Sequence, residues 1–521
     1  MTASHRGPTD GLVVAERPMP GAPRPYEFPE VTTTRLANGL TIRVADLPGR
    51  PLISAAVVLP AGAVDEPAAE AGAAVLAARA MTEGTERYDA VTLIEVSERL
   101  GASLHAEAGW DATSVSMDVP ASRFDAALAL LAEVLLRPTF PSDEVERLRD
   151  ERLNDLLQAQ ADPRRRADET YIDTIYAPSA PYHRPAGGTR ETVATLDSGA
   201  LRRAHARALD PARATLVIAG DLGDQDVVGI ASRLLGEWAA PSPVGPTTTA
   251  DDSASRSGRL VRVVHRPGSV QTEIRIGHRG LSRRIPDFHA VSVMSAILGG
   301  LFNSRLNMQL REAKGYTYGA GAGFDLRRGA GPFTARAAVN TEVTVPAVLD
   351  TLVELERMRD EPVDPSELAA ARDFLIGVFP LRFETAGAVV GALSGLAVHG
   401  LPIEELVEYR RKIEAVDVAA VAAAGRAHLH VDRAAIVLVG DVDAFGPALE
   451  AANLGRIVID RDDGGVGPGR LSEEPEAAVP GPADDDAQTG PTAGAEEPSL
   501  PGTTDEPASA DMSRDEDRAH D

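Results

Sequence analysis

The chain has no cysteine among its 521 residues. That excludes a disulfide framework, a thiolate zinc site, an iron–sulfur cluster and a cysteine nucleophile, and it suits a reducing compartment. Aromatic residues are scarce, at 4% with two tryptophans, so any core is built mainly from aliphatic side chains. No run approaches the roughly 18 apolar residues of a membrane span. The opening MTASHRGPTDGLVVAERPMPG holds no apolar stretch of signal-peptide length. We therefore expect no membrane partner and a cytoplasmic location. Basic charge is in deficit too. Fifty-two Lys and Arg against 78 Asp and Glu give a net −26, which argues against a nucleic-acid partner. Among 11 histidines none forms H-x-x-E-H, H-E-x-x-H or H-x-x-x-H. His428 and His430 are the one close pair, and without an adjacent acidic third ligand they are not expected to bind a metal.

The charge that is present is unevenly placed. Residues 465–521 carry −12 of the total, eight prolines and no aromatic residue. Such a composition cannot bury enough apolar surface to fold, so it reads as a disordered, solubilising acidic tail. Residues 1–30 hold six prolines and read as a disordered arm. PSPVGPTTTADDSASRSG, 241–258, reads as a linker between two domains, 31–240 and 259–464. Asn38-Gly39 between two alternating runs predicts a hairpin.

The two domains repeat each other. RATLVIAGDL from Arg213 recurs as RAAIVLVGDV from Arg433, an offset of 220 residues. The same offset aligns SVSMDVP (114–120) with FTARAAVN (333–340), each followed by an amphipathic helix. Phe124, Leu128, Leu131 and Leu135 form one apolar stripe; Val345, Val348, Leu349, Leu352 and Leu355 form the other. This order of elements predicts an α+β fold used twice, each copy an antiparallel sheet packed with helices.

GAAVLAARAMTEGT, 72–85, is rich in Ala and predicts a helix on which Val75, Ala78 and Arg79 share a face. A doubled α+β domain with Gly-Thr closing an early helix resembles the insulinase/pitrilysin family of zinc peptidases, the inverzincins, over roughly 31–462. In that family the helix carries H-x-x-E-H: two His one turn apart reach one zinc ion, and the Glu serves as general base on the zinc water. Here the flanking Gly72 and Gly84-Thr85 remain, but Val75, Ala78 and Arg79 stand at the ligand and base positions. The family's distal Glu ligand falls at Asp155. The resemblance thus implies a degenerate zinc site with no metal in this chain. We expect Arg79 to pair across the cleft with Asp155, with Glu151 as rival partner one turn earlier.

The second domain keeps more. LGGLFNSRLNMQLREAKGYTYGAGAGFD, 298–325, resembles the family stretch whose Arg and Tyr contact the scissile carbonyl; in this sequence they are Arg311 and Tyr318. A guanidinium and a phenol are suited to a developing oxyanion. Gly319, Gly321 and Gly323 leave a strand beside which a peptide backbone can lie. Some bacterial members of the family work as two chains, one with H-x-x-E-H and one with the Arg/Tyr pair, and this chain resembles the second. The resemblance therefore implies a non-catalytic subunit of a heterodimeric zinc metallopeptidase. Such a subunit binds peptide, leaves zinc to a paralogous H-x-x-E-H partner and is inactive alone. A purely structural scaffold is the alternative. A zinc-independent enzyme finds no nucleophile motif. If the acidic tail is solubilising, a chain truncated at residue 464 is expected to melt within a degree or two of the full chain; much earlier melting refutes that reading.

Overall fold

Asn38-Gly39 closes the hairpin that its sequence predicts. Gly39 takes φ +93°, a left-handed turn that glycine adopts without strain, and joins β1 (Val31–Arg35) antiparallel to β2 (Thr41–Asp46). The computed structural model describes Gly21 and residues 25–240 and 258–461. The acidic tail, the linker apart from Gly258, and most of the arm lie outside the described residues. The arm gives way to ordered chain sooner than its prolines suggest. Phe28 is buried, with its ring edge-on to Phe383 at 5.0 Å, and Tyr26 stands edge-on to Phe379 at 6.0 Å.

The first sheet adds β3 (Leu52–Leu59), β4 (Ser103–Ala108), β5 (Thr113–Pro120) and β6 (Thr215–Gly220) in the order β1-β2-β6-β3-β5-β4. The second comprises β7 (Leu260–His265), β8 (Gln271–Arg279), β9 (Ala320–Phe324), β10 (Pro332–Asn340), β11 (Ala435–Gly440) and β12 (Arg456–Arg461). Its order is β12-β7-β11-β8-β10-β9. The fold is α+β and doubled, but the sheets are mixed rather than antiparallel. β2 and β6 run parallel, as do β7 and β11 and β7 and β12. β6 and β11 return only after a long helical excursion, and such a connection can bring a strand back in either direction. The outermost strands also break the repeat: β1 comes from the early hairpin, β12 from the far end of the chain.

One face of each sheet is covered by its own helices. Phe124, Leu128, Leu131 and Leu135 are buried under the first sheet, and Val345, Val348, Leu352 and Leu355 under the second. Leu349, part of the same stripe in sequence, faces outward instead.

The other faces are covered by exchange. Helix Pro163–Ile175 of the first repeat lies on β8 and β11 of the second sheet. Helix Ala386–Val398 of the second repeat lies on β3 and β6 of the first. Val389, Val390, Leu393 and Leu396 meet Ala45, Ala56, Val58, Val217 and Ala219, while Tyr171 and Ile175 meet Ala435 and Val437. Each aliphatic side chain so buried contributes ~1.5–3 kcal/mol.

Buried charges fix the register of this exchange. Arg275, on β8 and 2% exposed, binds Asp168 of the crossing helix, Glu273 at 2.9 Å and the Arg164 carbonyl at 3.3 Å. Arg262, on β7, joins Asp173 of the same helix to Asp460 of β12, the latter at 2.7 Å. The β9–β10 loop enters the first domain. Arg328 donates to both Asp65 oxygens at 3.0 and 3.2 Å and to the Pro60 carbonyl at 2.8 Å. Its backbone N–H reaches Asp111 at 2.7 Å, and Asp111 also accepts from the Tyr182 hydroxyl at 2.8 Å.

Two predictions follow from this packing. Arg328→Ala takes the guanidinium from the mostly buried Asp65 carboxylate and is expected to cost ~3–5 kcal/mol, read as the shift of a denaturant midpoint. A loss below about 1 kcal/mol would mean that the clasp is incidental. His399, directly after the exchanged helix, is buried, and neither ring nitrogen has a hydrogen-bond partner among the described residues. Burial, and then the nearby Arg283, Arg328 and Arg284, push its pKa down to about 2. Between that value and the ordinary ~6.5 of an unfolded His, the unfolded chain binds the extra proton, so this group's contribution is lost as pH falls. His399→Gln is expected to lose less stability than the parent between pH 7 and 5; equal losses refute the assignment.

Candidate functional site

The helix at the degenerate zinc position runs from Ala73 to Ala80. Gly72 caps it at φ +96°, where an added Cβ would lie 2.8 Å from the Gly187 carbonyl. Glu66 anchors its N-terminus, accepting from the Gly72 N–H at 2.9 Å and from that of Ala74. Burial pushes the Glu66 carboxyl up to about 7 in spite of those donors. Ala78 is buried, Val75 half-buried, and Arg79 reaches toward helix Ser142–Ala161.

Arg79 does not meet Asp155. It pairs with Glu151 at 2.9 Å, both side chains being nearly half exposed, at 45% and 46%. Arg147 adds contacts to Glu151 at 2.6 Å, Glu144 at 2.7 Å and Glu83 at 2.9 Å. Its hydrogen bond is the main cause that holds the Glu151 carboxyl below the usual range, with Arg79 contributing less. Asp155 is taken by Arg165, at 2.7 and 3.1 Å, and by Arg152. Arg165 is the principal cause of its lowered pKa. The two-partner bond explains the difference: a bidentate guanidinium ten residues along satisfies Asp155 locally, leaving Glu151 for Arg79.

This donor set does not fit zinc. It offers no imidazole, and both carboxylates are engaged by guanidiniums, which supply hydrogen bonds and no lone pair. His428 and His430 also diverge. His428 binds Asp287 at 2.7 Å, whereas the His430 ring packs against that of His278 at 4.9 Å. Among the described residues, His265, Asp441 and Asp443 are the one group of such side chains close enough to share a cation. Each of the three already has a partner. His265 Nδ1 accepts from the Val442 N–H at 3.3 Å, Asp441 from Gly268 at 2.8 Å, and Arg461 lies 3.1 Å from Asp443.

The second-domain site is differently built. Arg305 grips Glu367 through two bonds, at 2.8 and 2.9 Å, while Leu306 and Leu310 are buried. Asn307 accepts from the Ala320 N–H at 2.8 Å and so ties this segment to the start of β9. The backbone then widens into a π-helical turn over Met308–Ala313, a feature often found at functional sites. From that turn Arg311 projects. Its guanidinium lies over the Phe302 ring, 4.8 Å from the centroid, and Nε is 3.4 Å from Glu312. Tyr318 is 92% exposed. Thr317 brackets it, donating to the Gly319 carbonyl at 2.9 Å and accepting from the Gly319 N–H at 3.2 Å.

β9 is a sheet edge. Space beside Gly319 and Gly323 is open, and an added Cβ at Gly321 would meet the Gly299 carbonyl at 3.4 Å and Arg336 Nε at 3.9 Å, both ordinary contacts. On the helix side the packing is close: a Cβ at Gly299 would fall 2.1 Å from the Ala322 nitrogen. Arg311, Tyr318 and a glycine-rich strand that, beyond the Asn307 tether, no further strand pairs on its outer side among the described residues therefore occupy one short segment. Phe302, Asn307 and Thr317 complete it. They lie within or beside the stretch singled out in sequence, but nothing in their type alone marks them.

Comparison with known proteins fixes the class. Residues 43–182 match the model of the insulinase family, peptidase family M16, and residues 195–375 match that of the peptidase M16 inactive domain. The chain belongs to the M16 family. It is 26% identical over 409 residues to an uncharacterized zinc protease of Mycobacterium tuberculosis, covering 78% of this chain and 92% of that one. It is 24% identical over 339 residues to a non-peptidase homolog of Helicobacter pylori, covering 64% and 76%. The crystal structure of a peptidase M16 inactive domain from Pseudomonas fluorescens superposes with a TM-score of 0.73 at 25% identity, over 79% of this chain and 98% of that one.

If guanidiniums have replaced the metal, the purified chain is expected to contain no stoichiometric zinc by elemental analysis. One tightly held zinc per chain, lost on mutation of the Ala73–Ala80 helix, contradicts this.

Proposed function

We propose that this chain is the non-catalytic subunit of a two-chain zinc metallopeptidase. In this reading it binds peptide along β9 and supplies Arg311 and Tyr318 to the developing oxyanion. A paralogous chain bearing H-x-x-E-H supplies zinc and the general base. The observation that carries the proposal is the contrast between the two halves. The zinc position is filled by paired guanidiniums and carboxylates, whereas the half-exposed Arg311 and the exposed Tyr318 stand beside a strand edge that no further strand covers among the described residues. A scaffold has no need to keep a nearly fully exposed Tyr next to an unpaired edge, since exposed edges promote unwanted association.

Added-strand binding uses backbone hydrogen bonds and so tolerates varied peptide sequences. The guanidinium and phenol need reach only one carbonyl. Removing one such donor typically costs ~2.7–4 kcal/mol of transition-state stabilisation.

Co-purification with an H-x-x-E-H paralogue, followed by peptide-cleavage assays of each chain alone and of the pair, tests the proposal. The pair is expected to cleave and the single chain not; chelator-sensitive cleavage by the pure single chain would count against it. Arg311→Ala and Tyr318→Phe are expected to lower turnover of the pair tenfold to a thousandfold while leaving assembly intact. Unchanged turnover in both removes the role given to the two side chains.

A further inference from the structure

Arg311 is attached by its backbone far more firmly than by its side chain. Its carbonyl accepts from the Lys314 and Gly315 N–H groups, and Leu310 beside it is buried. The guanidinium has no hydrogen bond to any described residue; its one charged neighbour, Glu312, is adjacent in sequence at 3.4 Å and itself exposed. A four-bond side chain left so free samples many rotamers, and ordering it during the reaction would weaken what it contributes.

One contact restrains it. The guanidinium sits over the face of Phe302, 4.8 Å from the ring centroid. Phe302 is 66% exposed, and it lies just after the π-helical turn Ala296–Gly300, whose Gly299 packs directly on β9. The ring is thus carried by the same rigid seam that carries the strand edge. A single exposed Phe needs no explanation in general. This one lies against the single cation that the proposed chemistry uses.

We propose that Phe302 is a positioning residue for Arg311. Its ring face holds the guanidinium flat by a cation–π contact and leaves the Nη edge turned to receive a peptide carbonyl. Stacking satisfies no N–H donor, so it orients the group without competing for the hydrogen bonds the substrate needs. This inference rests on the subunit reading for its kinetic consequence, but the ring contact itself belongs to the isolated chain.

The test uses Phe302→Leu and Phe302→Tyr in the full chain, with Arg311→Lys to assign the Arg311 Nε–H signal by NMR. In the isolated chain that signal is expected to be ring-shifted, to lose the shift in Phe302→Leu and to keep it in Phe302→Tyr. In the pair with the H-x-x-E-H chain, assayed on a quenched fluorogenic peptide, Phe302→Leu is expected to lower kcat about two- to fivefold, the range of an exposed cation–π contact. KM should be unchanged and Phe302→Tyr should restore kcat. An unshifted Arg311 signal overturns the proposal, as does a kcat unaffected by Phe302→Leu in a pair that Arg311→Ala disables. Arg311→Ala without effect on turnover overturns instead the subunit reading, a distinct result.

Discussion

The exchange of helices between the two repeats is the constraint on which the rest of this molecule depends. Neither sheet covers its second face with its own sequence. The first is closed by Val389, Val390, Leu393 and Leu396 from the second repeat, the second by Tyr171 and Ile175 from the first. Apolar burial alone would let such helices slide. Arg275 and Arg262 prevent that, because a charge buried in a sheet tolerates only the register in which Asp168 and Asp173 meet it. The two repeats are therefore packed together through both apolar and charged contacts.

That rigidity clarifies how a zinc position can be lost. In a metal site, the ion itself joins two helices, and its loss leaves ligands without a partner. Here the Ala73–Ala80 and Ser142–Ala161 helices are joined by Arg79, Arg147, Glu83 and Glu151, all at least partly in water. Such pairs are worth ~0–1 kcal/mol each. They cannot be what holds the domain together. The aliphatic core around Leu76, Ala77 and Leu148 does that.

Much of this was legible in the sequence, for physical reasons that can be named. RATLVIAGDL and RAAIVLVGDV are central strands buried on both faces, so they must be continuously apolar and they show the repeat plainly. Gly72 shows the frame of the lost site because only a residue without Cβ fits against Gly187 at positive φ. The exchange was not legible. PRRRADETYIDTI has the composition of a surface helix, and a sequence pattern states that one face is buried without stating against which sheet. Nothing in the sequence marks Arg262 and Arg275 as buried, since their partners on the crossing helix, Asp173 and Asp168, lie 89 and 107 residues away. Asp155 was assigned the wrong partner because Arg165 sits past a helix break at Pro163, and only the three-dimensional turn brings it back.

The Arg/Tyr segment shows where structural and functional demands separate. Its supports are all conventional: a buried Leu306 and Leu310, a two-bond Arg305–Glu367 pair, an amide tether from Asn307 to β9. Each would serve a scaffold equally well. What they support would not. The exposed Tyr318 and the open edge at Gly319 and Gly323 each lose something for the isolated chain, in exposed aromatic surface or backbone entropy, and the Arg311 guanidinium has no hydrogen bond among the described residues. Stable anchors that end in unsatisfied groups are the expected form of a site waiting for a ligand, because preorganisation places its cost in the free protein and its return in the complex. The first domain shows the reverse case. There the two charged side chains at the expected ligand positions are each taken by another partner, Arg79 by Glu151 and Asp155 by Arg165 and Arg152.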